Sequence, residues 1–171
     1  MRLEFPEKKH EKDYLEMVKE FANKEEIIIP WTANLKEGET YDDFMIRIKR
    51  DNETGNPKYN FAKSFLYFLI DDNEKIIGVE AIRPILSEAL RYDWGNIGYG
   101  IRPSERKKWY TTIWLKLVLE KCKELWLDKV MLTCNKENIW SSKAIIKNWW
   151  VRNSEYEHEG KIKDRYYIPI K

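Results

Sequence analysis

The chain has 171 residues, 43% of them hydrophobic and 35% charged, which supplies enough apolar material for a single domain with a sizeable core and excludes a disordered polymer. Its 31 basic and 29 acidic residues leave a net charge of +2, too small to argue for a nucleic-acid partner. No apolar run approaches membrane-spanning length, and MRLEFPEKKHEKDY carries charges where a signal peptide has its apolar stretch, so no membrane partner and a cytoplasmic location are expected.

Residues 2–5 read as a short strand closed by Pro6. From residue 11 to 23, Tyr14, Leu15, Val18, Phe21 and Ala22 share one helical face. IIIPW, residues 27–31, is apolar but interrupted by Pro30, and reads as a buried connection or a wall on the substrate side. Thr40 with Asp43 resembles a capping box ahead of a second helix whose stripe is Tyr41, Phe44, Met45 and Ile48. Residues 52–60 read as a turn-rich loop. Residues 64–70 and 75–82 are strand-like runs separated by the hairpin-turn composition DDNE, and 83–91 is a loop or a helical turn.

Residues 94–140 organise the rest. Residues 96–101 alternate around small side chains and stop before Pro103, which cannot donate to a ladder. Tyr110, Ile113, Trp114, Leu117, Val118, Cys122 and Leu125 then recur at three- and four-residue steps, predicting an amphipathic helix. The apolar run 130–134 is of the kind found in buried parallel strands, so the unit reads as βαβ. Between first strand and helix lies a basic loop in which Arg102, Arg106, Lys107 and Lys108 face only Glu105, a local charge of +3. A helix start with that charge and with unpaired N–H groups suits a phosphate or pyrophosphate, although a solvated basic turn has the same composition. Residues 138–148 predict a further helix capped by Asn138, and 151–157 with 161–170 a hairpin around Gly160. Cys122 and Cys134 read as buried free thiols, no metal site is suggested, and His10 and His158 are expected at the surface.

IGYGIRPSER, residues 107–112, LxLxLEKCKEL, LDKVMLTCNKENI and SSKxIIKN together resemble the acetyl-coenzyme A site of the GCN5-related N-acetyltransferases, in particular a bacterial branch, and EEIIIPWTANLKEGETYDDF extends the likeness over nearly the whole chain. The resemblance implies an α/β (α+β) acyl-CoA N-acyltransferase fold across residues 1–171, a central mixed twisted sheet with helices on both faces. It implies acetyl-CoA as cosubstrate, a small-molecule or peptide amine as acceptor, and is compatible with a homodimer. By the same resemblance, Tyr99, Gly100 and Ile101 hold the pantetheine arm, Arg106, Lys107, Lys108, Trp109, Tyr110 and Thr111 the pyrophosphate, and Asn138 and Ser141 the cofactor arm. The family loop Q/R-x-x-G-x-G/A is met only at Arg106, with Trp109 and Thr111 at the other specified positions. Family members place a Tyr on the later helix where this chain has Ile145, so Glu80 as base and Asn96 as an orienting group are the catalytic candidates. A binding module that keeps the fold and has lost the cofactor is the alternative.

Trp31, Trp94, Trp109, Trp126, Trp140, Trp149 and Trp150 stand where the family pattern has Gly. With the seven glycines present they bring the count to 14 of 171, close to the ordinary share of roughly 7%. The expectation is a gene from a lineage that reads UGA as glycine, translated with UGA as tryptophan; a decaying gene is the competing account.

Overall fold

Local chemistry starts and stops most elements where the residue pattern requires. The computed structural model describes residues 1–55, 63–108, 110–148 and 150–170, with the backbone alone at Thr111. In order these form strand β1 (Arg2–Glu4), helices α1 (Glu11–Ala22) and α2 (Tyr41–Thr54), strands β2 (Phe65–Ile70) and β3 (Ile76–Ile82), helix α3 (Glu88–Tyr92), strand β4 (Ile97–Ile101), helix α4 (Tyr110–Glu124), strand β5 (Lys129–Asn135), helix α5 (Ile139–Lys147) and strands β6 (Val151–His158) and β7 (Lys161–Pro169). The capping box before α2 is closed from both sides: Asp43 N–H donates to Thr40 Oγ1 at 3.2 Å, and Thr40 N–H donates to the Asp43 carboxylate at 3.1 Å. The loop expected from residue 52 starts later, because α2 runs on through Thr54 and ends at Gly55 (φ 71). The rest of that expected loop, 56–60, lies outside the described residues.

The mixed α/β fold class holds, but the parallel pairing expected of the run 130–134 is not formed: β5 pairs antiparallel with β7 and touches the β4 side through an antiparallel bridge. Four strands form the order β1-β2-β3-β4 and three form β5-β7-β6, with every described ladder antiparallel. The two sheets meet at one isolated bridge, Gly95 to Leu132, supported by Asn96 N–H donating to Met131 O at 2.8 Å and Met131 N–H donating to Asn96 Oδ1 at 2.8 Å. The close approach depends on Gly95, where a Cβ would stand 2.5 Å from Met131 O.

Helices cover both faces. Tyr14, Phe44 and Ile48 of α1 and α2 pack with Phe68, Val79 and Ala81 on one side of the first sheet. Trp114, Val118 and Cys122 of α4 and Ile145 of α5 pack with Leu69, Ile97 and Leu132 on the other. Both cysteines are buried free thiols, and burial pushes Cys122 up to about 12. His10 departs from the surface position expected of it: it is 4% exposed, its Nδ1 accepts from Glu7 N–H at 3.0 Å, its Nε2 faces Glu4, and burial lowers its pKa. His158 is partly buried, 3.5 Å from Asp93.

The tryptophans divide. Trp31, Trp94, Trp126 and Trp140 are exposed, and Trp94 (φ 76) and Trp126 (φ 60) occupy the left-handed region. Trp126 is the C′ residue of a Schellman motif closing α4, with Leu127 N–H donating to Cys122 O and Trp126 N–H to Lys123 O. Trp94 follows α3 differently, after an extended Asp93, with Gly95 N–H reaching back to Leu90 O. Trp150 behaves otherwise, 3% exposed in the core with an unpartnered indole N–H. Trp109 and Trp149 lie outside the described residues.

Candidate functional site

Where the two sheets part, the outer edge of β4 has no partner strand among the described residues beyond its first contact with β5. Arg83 N–H donates to Asn96 O and Arg102 N–H donates to Ile77 O, so the antiparallel alternation turns the peptide groups of Gly98 and Gly100 toward β3 and those of Tyr99 and Ile101 toward the gap. Tyr99 and Ile101 therefore offer free amides, while the Gly100 amide belongs to the ladder. The Tyr99 ring packs on Trp114, centroids 4.0 Å apart, and its hydroxyl makes a short hydrogen bond with Ser141 on α5, linking the two halves across the split. Burial raises the Tyr99 pKa, so the phenol stays protonated.

The strand leads into the loop before α4. The charge of +3 read there does not stay free on folding. Buried Arg102 donates to Glu20 and Asp13, both at 2.6 Å; Arg106 forms a two-pronged pair with Glu26 at 2.9 and 2.5 Å and donates to Ile101 O; Lys108 pairs with Glu105 at 3.0 Å. Lys107, exposed and left-handed (φ 64), has no carboxylate partner among the described residues. The feature left for an anion is the backbone at the start of α4, whose first residues, Tyr110 and Thr111, lack intrahelical acceptors for their N–H groups. The expected contacts at Trp109 and at the Thr111 side chain lie outside the described residues. Asn138 caps α5, its Oδ1 accepting from Ser141 N–H at 3.1 Å, and Ser141 is buried beside Tyr99.

The two catalytic candidates sit apart from the gap's free amides. Glu80 opposes Tyr99 in the ladder but is 0% exposed beneath α4, and neither carboxylate oxygen has a hydrogen-bond partner. Desolvation drives its pKa well above the ordinary value, only partly offset by Trp114 and Lys121, which favours the protonated acid over the carboxylate. Asn96 spends both ends of its amide, Nδ2 on Arg83 O at 2.8 Å and Oδ1 on Met131 N–H, as a clasp between the sheets.

On the opposite face, the segment 28–34 lies over β4. A Cβ on Gly100 would collide with the carbonyl oxygen of Ile29, and one on Gly98 would stand 3.5 Å from Pro30. Asn34 fixes the segment by accepting from Ile28 N–H and donating to the Ile28 and Trp31 carbonyls. Arg47 buttresses it from α2, donating to Thr32 O and Asn34 O while paired with Glu39 at 2.6 Å. The run IIIPW, read as a buried connection or a substrate-side wall, thus lies against β4 with Ile28 buried and Trp31 exposed. Arg83 stands beside it, and its lack of a carboxylate partner among the described residues was not legible in the sequence, because it depends on which side chains fold around that arginine.

Comparison with solved structures gives the same fold in spermidine N-acetyltransferases from Vibrio cholerae. A point mutant of the SpeG enzyme matches with a TM-score of 0.69 at 16% identity, over 99% of this chain and 95% of that one. Spermidine N-acetyltransferase in complex with CoA and spermine matches with a TM-score of 0.66 at 15% identity, over 98% of this chain and 94% of that one. No curated protein matches the chain. A family model described as acetyltransferase (GNAT) domain matches residues 2–148. The chain belongs to the GNAT acetyltransferase family.

Proposed function

We propose that the protein transfers an acetyl group from acetyl-CoA to a primary amine of a small molecule or peptide by direct attack. The observation that carries this reading is the unpartnered edge of β4, two free amides on a path that runs to the start of α4. The pantetheine arm lies along that edge, and the amide of Tyr99 or Ile101 donates to the thioester carbonyl. The diphosphate sits on the backbone N–H groups of 107–111. When the amine attacks, the carbonyl oxygen gains charge and the same preorganised amide stabilises it. The carbon–sulfur bond then breaks, the attacking nitrogen releases its extra proton to water, and the leaving thiolate takes a proton from an acid that water afterwards reprotonates. In this reading the Tyr99 phenol, held by Ser141, supplies that proton in place of the helix Tyr that Ile145 replaces. The amine enters unprotonated and positioning supplies much of the rate. Glu80 and Asn96 act as structural groups, the first too deep and the second fully engaged.

The test is a melting-temperature series with coenzyme A and acetyl-CoA, followed by thiol release from acetyl-CoA over a panel of amines. Stabilisation and amine-dependent thiol release are expected, and stronger stabilisation in a Trp109→Gly protein, since glycine lets the backbone approach a phosphate closely. No stabilisation of either protein by either ligand refutes the transferase reading in favour of the binding module.

A further inference from the structure

The described arginines are mostly neutralised by carboxylates: Arg2 by Glu4 and Glu74, Arg47 by Glu39, Arg50 by Asp51, Arg102 by Asp13 and Glu20, Arg106 by Glu26, Arg152 by Asp164. Arg83 is different. It follows β3 and is partly buried, and its side chain's one hydrogen bond among the described residues is from Nη1 to the Gly95 carbonyl oxygen at 3.1 Å. No Asp or Glu among the described residues pairs with it, and desolvation alone pulls its pKa down to about 10, still charged at neutral pH. Of the carboxylates near it in sequence, Glu80 is buried beneath α4 and Glu88 is exposed, neither bonded to Arg83 among the described residues, and Asp93 is committed to Lys163 at 2.6 Å and to the Tyr156 hydroxyl.

The position of this cation matters. With β-strand alternation, Ala81 and Arg83 share the face on which Gly98 and Gly100 carry no side chain. A Cβ on Gly98 would stand 3.0 Å from Arg83 Nη2 and 3.5 Å from Nη1, so the guanidinium lies directly against Gly98. Ile29 already occupies the surface over Gly100. An acceptor approaching the Tyr99 amide from this side therefore passes Gly98, under a guanidinium with unused donors in a fork that fits a carboxylate.

We propose that Arg83 is a specificity-determining residue that binds an anionic group of the acceptor, so that the preferred substrate is an amine bearing a carboxylate close to the reacting nitrogen rather than a polyamine. The inference rests on the acetyltransfer reading above. A carboxylate completes the cation's pairing, whereas a second ammonium placed there is repelled.

The experiment compares wild-type kcat/KM for free amino acids, for their α-amides and for spermidine, all with acetyl-CoA, and repeats the series with Arg83→Gln and Arg83→Lys. In the wild type, acids should exceed their amides by about tenfold or more, which is about 1.4 kcal/mol. Arg83→Gln should collapse that ratio toward one, while Arg83→Lys keeps part of it and both retain the thermal shift with coenzyme A. The wild-type ratio needs no variant, so a misfolded Arg83→Gln does not rescue the proposal. Spermidine turned over better than the acids, or acids and amides used equally, overturns it while leaving acetyltransfer standing. Absence of any coenzyme A stabilisation instead removes the underlying reading, and the proposal with it.

Discussion

Trp126 sits at a position whose backbone asks for glycine. It is 91% exposed, left-handed at φ 60, and closes α4 as the C′ residue. A left-handed non-glycine residue costs about 1–2 kcal/mol, and glycine gives back roughly 0.5–1 kcal/mol through its greater freedom in the unfolded chain. With little packing to lose, Trp126→Gly should therefore stabilise the protein by about 0.5–1 kcal/mol, raising the melting temperature by roughly 1–4 °C for a chain of this length. Denaturant unfolding of both proteins checks it, and a loss of stability refutes the strain argument. Glu25 is left-handed at φ 56 without being a tryptophan, so Glu25→Gly serves as a control with a similar gain. The recoding account adds a separate demand, UGA codons at the recoded positions in the gene. UGG at all seven eliminates it. Trp150 is the position where the account meets resistance, because glycine there removes a large side chain from a packed core and should cost about 3–5 kcal/mol.

Glu80 should make the protein less stable as pH rises. Its folded pKa is raised, so above the unfolded value of 4.5 the native state holds a proton the unfolded state has released, and stability falls by about 1.4 kcal/mol per pH unit until the folded pKa is reached. Glu80→Gln should flatten that slope in urea titrations at several pH values; an unchanged slope would show that other groups set it. Arg102→Met leaves Asp13 and Glu20 facing each other without their cation, an expected loss of about 3 kcal/mol in chemical denaturation; a loss under about 1 kcal/mol, the range of an exposed pair, refutes the linking role. Gly100→Ala forces the Ile29 carbonyl away and should cost about 1–3 kcal/mol together with most amine-dependent activity, which wild-type turnover would contradict. Tyr99→Phe should lower kcat with the KM for acetyl-CoA little changed, and an equal kcat would remove the phenol from the reaction.

Periodicity alone located β1, both N-terminal helices, α4, α5 and the closing hairpin, because helix and strand patterns and capping residues such as Thr40 and Asn138 act over a few neighbours. The helix-end position at 126 that calls for a left-handed residue was legible for the same reason, because a helix end is local; the same reading at Trp150 fails, since that residue is not left-handed and packs in the core. Charge, burial and sheet continuity were not. The loop at 102–108 reads as strongly basic in one dimension, yet Asp13, Glu20 and Glu26 reach it from α1 and the turn that follows, some eighty to ninety positions away. Glu80 looks like any strand carboxylate until α4 closes over it, and His10 looks like a surface residue until Glu4 and Phe68 surround it. The junction of β4 with β5 depends on the close approach of Gly95 to Met131, and the lack of a carboxylate partner for Arg83 among the described residues on which carboxylates fold elsewhere. Short-range patterns write the elements; desolvation and pairing are sums over neighbours that only the assembled chain brings together.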